Sequence, residues 1–70
     1  MLYFFQRAER VIRCEIRRQW DGEGYELLVH TADGVRIERF QEPDALALRW
    51  SELEGELIKA GWAEPDARRA

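Results

Sequence analysis

The chain has 70 residues, 46% hydrophobic and 36% charged, and carries three Trp, two Tyr and three Phe. That composition is globular rather than disordered, and the length allows one domain whose core hides only about 60% of the surface the unfolded chain exposes. The net charge of −3 excludes a general polyanion binder, which is normally basic, but residues 1–20 hold five Arg against two Glu and leave room for a local basic patch.

Cys14 is the only cysteine, so no intramolecular disulfide is possible and a reducing compartment fits best. The opening apolar run, Met1 to Phe5, is short and is followed by Arg7; a signal peptide needs a longer apolar region preceded by basic residues. No run approaches the ~20 apolar residues of a membrane span. These features point to a cytoplasmic protein.

In chain order, residues 2–5 read as a short strand. Its loop, Gln6–Glu9, has no Gly, Pro or Asn, which leaves its register open. Residues 10–20 alternate cleanly: Ile12, Cys14 and Ile16 point one way, Val11, Arg13, Glu15 and Arg17 the other. Period two with one apolar face marks a half-buried strand. Asp21-Gly22-Glu23-Gly24 is a hairpin signal, with either Asp21-Gly22 or the whole stretch as the loop. Both options turn Cys14 and Ile16 toward the apolar residues of the next strand.

Residues 24–31 place Tyr25, Leu27 and Val29 inward, with Glu26, Leu28 and His30 outward. After a second turn at Ala32-Asp33-Gly34, residues 35–40 continue the sheet, with Val35 and Ile37 read as inward and Arg36 and Glu38 as outward. A two-residue Asp33-Gly34 turn would place Val29 opposite Glu38 and send Ile37 to the wrong face, since a one-residue slip flips every side chain. A three-residue loop instead pairs Thr31 with Val35 and Val29 with Ile37. It puts Gly34 in the left-handed position of a type I turn with a G1 bulge.

Residues 43–60 read as a helix. Pro43 suits the first helical position, and Glu42 and Asp44 set negative charge at the positive end of the dipole. Leu46, Trp50, Leu53, Leu57 and Ala60 fall on one face. Gly61 fits the position after the helix, with Trp62 folding back on Leu57 as in a Schellman motif. Residues 63–70 read as a flexible polar tail. The expected architecture is α+β: an antiparallel meander of three to four strands, packed by one C-terminal amphipathic helix, in a single domain over residues 1–62.

No constellation of chemistry stands out. Cys14 lies between Ile12 and Ile16, where a cysteine acts as a small hydrophobe. His30 is the only histidine, and without a second His or Cys it defines no metal site. Ser51 is the only serine and sits inside the helix, and no Gly-rich phosphate loop precedes a helix start. No catalytic residue, metal ligand, cofactor motif or small-molecule substrate is identified, and the expectation is a non-enzymatic domain.

Function is then expected on the outer sheet face, with Arg13, Arg17, Leu28, His30 and Arg36 as the candidate binding residues and Tyr3 or Phe5 beside them. Arginines with aromatics can hold phosphates and stack bases. Glu15, Glu26 and Glu38 read as sharing that face and pairing with the arginines across strands, which favours a protein partner or a homodimer over single-stranded nucleic acid.

Asp21-Gly22-Glu23-Gly24-Tyr25-Glu26-Leu27, Asp33-Gly34, Glu38-Arg39-Phe40, and Leu53 to Gly61-Trp62 resemble a group of small bacterial proteins with no assigned activity. The likeness spans most of residues 1–62 and implies a fold and a bacterial origin, not a chemistry. The strand order is also similar to the meander-plus-helix units of Whirly-type and related single-stranded DNA binders. That is a likeness of topology alone, and those proteins use basic surfaces.

Overall fold

A computed structural model describes residues 1–64. Strands β1 (Leu2–Arg7), β2 (Arg10–Arg18), β3 (Tyr25–Thr31) and β4 (Gly34–Phe40) form one antiparallel sheet in the order β1-β2-β3-β4, followed by helix α1 (Pro43–Lys59). The α+β meander read from the sequence is the fold observed.

The β1–β2 hairpin closes on a two-residue turn, Ala8-Glu9, with Arg7 opposite Arg10. Ala8 takes φ 54, the only non-glycine at positive φ among the described residues. This turn fixes the register that the residue types of Gln6–Glu9 left open. It pairs Tyr3 with Cys14 and Phe5 with Ile12, and β1 runs two residues beyond the expected Phe5. Tyr3 and Phe5 therefore face inward, and the outward pair from β1 is Leu2 and Phe4.

Between β2 and β3 the chain leaves the sheet at Arg18, short of the expected position 20. Gln19 N–H donates to Gly24 O at 3.0 Å, and Glu23 N–H donates to the Asp21 carboxylate at 3.0 Å. Gly24 has φ 99, and a Cβ there would stand 2.6 Å from the Phe40 carbonyl oxygen; only glycine fits. Cys14 pairs with Val29 and Ile16 with Leu27, as the alternation requires.

The β3–β4 hairpin differs from its sequence reading. Thr31 pairs with Gly34, His30 with Val35, Leu28 with Ile37 and Leu27 with Glu38. The loop is thus the two residues Ala32 and Asp33, tightened by Asp33 N–H donating to Thr31 Oγ1 at 3.2 Å, and there is no G1 bulge. The slip reverses β4: Val35 and Ile37 face outward, Arg36 and Glu38 inward. Two contacts explain the choice. Phe40 shares its parity with Arg36 and Glu38, and in this register it packs against the core opposite Tyr25. Glu38 meets Arg49 of α1 through two hydrogen bonds, 2.8 and 3.2 Å. Arg36 tolerates the inward side because β4 is the sheet margin, where its side chain stays 62% exposed.

The helix covers the inner face. Leu46 and Leu53 are buried, and Trp50 and Leu57 pack against the same cluster as Phe5, Ile12, Cys14, Leu27 and Val29. The Trp50 ring lies 4.6 Å from Tyr3 and 6.0 Å from Phe5, centroid to centroid. Ala60, expected on this stripe, is exposed instead, because it is already the C-cap. The helix stops as its sequence indicates: Trp62 N–H donates to Leu57 O at 2.9 Å and Gly61 N–H to Ile58 O at 3.0 Å, the Schellman pair. Arg7 seals this end, donating to Ala60 O at 2.8 Å with its guanidinium over the Trp62 ring.

Residue 63, expected as the start of a flexible tail, is held against β1 instead. Ala63 pairs with Gln6 through Gln6 N–H to Ala63 O, 2.7 Å, and Ala63 N–H to Gln6 O, 2.9 Å. The remainder of the tail, residues 65–70, lies outside the described residues. Among the described residues no helix is long and apolar enough to cross a membrane.

Candidate interaction face

The face turned away from the helix is built in rows across the strands. One row is Phe4, Arg13, His30 and Val35; the next is Leu2, Glu15, Leu28 and Ile37; a third is Arg17, Glu26 and Arg39. Val11 lies beyond the first row, opposite Gln6. Each row follows from the pleat, which sends alternate residues of every strand to the same side.

The structure thus brings together four of the five residues expected here: Arg13, Arg17, Leu28 and His30. Arg36 is not among them. It lies on the inner side of β4, 3.5 Å from Glu38, for the register reason above, and Glu38 leaves the face with it. Arg39, which the sequence reading passed over, takes the place in the third row. Parity with Val35 and Ile37 would have located it once the loop length was known.

The charges on this face are matched within it. Arg17 and Arg39 each donate through Nε to a different oxygen of Glu26, at 3.1 and 2.9 Å. The Glu26 side chain is only 12% exposed. Its partial burial works against ionisation, but the two guanidiniums prevail and hold its carboxyl below the usual range. One Arg13 terminal nitrogen is 3.3 Å from both ring nitrogens of His30. Glu15 stands 4.0 Å from His30 Nε2.

Around these charges the face is apolar. Leu28 is buried at 6% exposure although it points away from the helix; Leu2, Phe4, Val11, Val35 and Ile37 are 37–55% exposed. Near the hairpin tips, a crevice of about 750 Å³ is lined in part by Phe4, Val11, Arg13, His30 and Trp62.

On the other side of the sheet, Cys14 is fully buried. Burial is the main cause that pushes its thiol up to about 11, with nearby Arg36 acting in the opposite sense. At neutral pH it is a packed thiol, not a thiolate nucleophile. Among the described residues no group of three or more His, Cys, Asp or Glu is placed to hold a metal ion.

The fold and this face define a small meander-plus-helix domain with one sheet face packed and the other open. No protein-family model, curated protein or solved structure matches the chain.

Proposed function

We propose that this chain is a non-enzymatic interaction domain that binds protein through the open face of its sheet. The observation that carries the reading is the exposure of Leu2, Phe4, Val11, Val35 and Ile37 together on that face. An exposed apolar surface rimmed by polar groups is the usual mark of an interaction site. Single-stranded nucleic acid is the alternative, and Arg13 set against His30 beside Phe4 is the feature that favours it. The charge pattern supports protein more strongly. Arg17 and Arg39 are held by Glu26, so Arg13 is the one guanidinium of the three rows not paired with a carboxylate among the described residues.

Site-specific photo-crosslinking in cells of the source organism tests the reading. A crosslinker at Phe4 or Val11 should give an adduct of one defined mass, and one at Leu48, exposed on the far side of the helix, should not. Absence of adducts at both face positions, or the same adduct from Leu48, would overturn it. A single-stranded oligonucleotide bound at about 50 mM salt and released as salt rises would favour the alternative.

A further inference from the structure

The two edges of the sheet are not alike. The β1 edge is occupied in part by Ala63, which exchanges both backbone hydrogen bonds with Gln6. The β4 edge pairs only with β3 in the sheet. Outside that ladder, no backbone–backbone hydrogen bond involves Gly34–Phe40 among the described residues. Alternate residues of an antiparallel edge strand turn N–H and C=O outward, which makes such an edge a template for another strand. Folded proteins blunt such edges with proline, bulges, lysine or inward-pointing charge. β4 has no proline and no lysine, and its pairing with β3 runs without a bulge from Thr31↔Gly34 to Tyr25↔Phe40. Its inward charges are Arg36 and Glu38.

Those two charges do not forbid pairing; they select a register. In a symmetric antiparallel pair of β4 strands that keeps both sheet faces continuous, the two-fold axis must fall beside a residue of the strand. An axis at Arg36 sets Arg36 against Arg36 of the second copy, and an axis at Glu38 sets Glu38 against Glu38. Like charges directly opposite are destabilising. An axis at Ile37 sets Arg36 against Glu38 and Glu38 against Arg36, two complementary pairs made by one symmetry operation. It also sets Ile37 against Ile37 on the outer face, and Gly34 against Phe40 at the ends. This register alone uses the whole strand, Gly34–Phe40, from end to end.

From the unblocked edge and this charge complementarity we infer that β4 is a homodimerisation edge: two copies pair antiparallel about Ile37 and join their sheets into one of eight strands. The partner is a second copy of this chain, because the charge pattern is complementary to itself. The inference goes beyond the outer-face reading. It rests on backbone and inner-face charges that Leu2, Phe4 and Val11 do not touch, so either can fail without the other.

Charge reversal in the full chain tests it, with mass in solution read by sedimentation equilibrium up to about millimolar concentration. The parent should approach twice the monomer mass. Arg36→Glu alone and Glu38→Arg alone should each stay monomeric, since each opposes like charges twice. An equimolar mixture of the two should recover the dimer: the side chain introduced by Arg36→Glu in one copy meets the one introduced by Glu38→Arg in the other, and at the second position the native Glu38 of the first copy meets the native Arg36 of the second. A monomeric parent, or a mixture no more associated than either variant, overturns the proposal.

Glu38→Arg also breaks the contact with Arg49 and can impair folding. Ile37→Cys, at a half-exposed position, provides a second route. On mild oxidation it should form a symmetric intermolecular disulfide at least tenfold faster than Leu48→Cys on the helix; equal rates overturn the edge pairing.

Discussion

On the inner face of the sheet Phe5, Cys14 and Leu27 are sealed beneath the helix, while on the outer face the same four strands leave Leu2, Phe4, Val11, Val35 and Ile37 in contact with solvent. Strands β1 to β3 give both faces what simple alternation requires. β4 does not: it sends its two aliphatic residues outward and Arg36, Glu38 and Phe40 inward. A margin strand under the side of a helix needs one apolar anchor and an ion pair more than it needs a continuous apolar stripe. Phe40 supplies the anchor, and Glu38 with Arg49 supplies the pair. The consequence is that apolar surface which would have filled the core is displayed on the open side.

Neighbouring leucines on opposite faces give the largest contrast. Leu27→Ala empties a fully buried site under the helix and should cost about 3–5 kcal/mol. Leu28→Ala is nearly as buried but is covered by side chains of its own sheet alone, so its neighbours can collapse and the loss should lie near about 2 kcal/mol. Equal losses by denaturant unfolding would mean that the outer face is packed as firmly as the inner.

Acid should act on the inner face through β4. The hydrogen bonds from Arg49, opposed by partial burial, hold the Glu38 carboxyl below its ordinary range, so the pair's contribution is complete above that range and is lost as pH falls through the lowered value. The denaturant midpoint of the parent should decline as pH falls from about 5 to 3. Glu38→Gln should lower the midpoint at neutral pH and flatten that decline; an unchanged slope would show that the pair does not matter.

Two smaller effects concern the turn and the open face. Ala8 holds φ 54, a conformation that costs an L-residue roughly 1–2 kcal/mol, so Ala8→Gly should raise stability by about 0.5–1 kcal/mol after the added chain entropy of glycine. Val35→Thr should change stability by less than about 0.5 kcal/mol, as substitutions at exposed positions do. A loss several times larger would return Val35 to the core.

Most of the fold was legible. The alternation of Arg10–Arg18 and Tyr25–Thr31, the stripe Leu46, Trp50, Leu53 and Leu57, and the stop at Gly61-Trp62 each had a single physical solution. What misled was the assumption that β4 buries its aliphatics. Val35 and Ile37 have one parity and Phe40 the other, so no register buries all three. Phe40 is the larger and leads directly into the helix, and that was the available signal. The bidentate contact of Glu38 with Arg49 was not legible, because it depends on how far the helix sits toward the margin. The displacement of Arg36 and the gain of Arg39 on the candidate face follow from that one slip. The Ala8 turn was hidden for a different reason: its positive φ is imposed by the strands it joins, against its own preference.

The pairing of β3 with β4 is therefore the claim on which the open apolar face and the self-complementary edge both rest, and cross-strand backbone NOEs measure it directly. Contacts linking Thr31 with Gly34, His30 with Val35 and Leu28 with Ile37 are the predicted result. Contacts linking Thr31 with Val35 and Val29 with Ile37 would return the aliphatic residues of β4 to the core and contradict it.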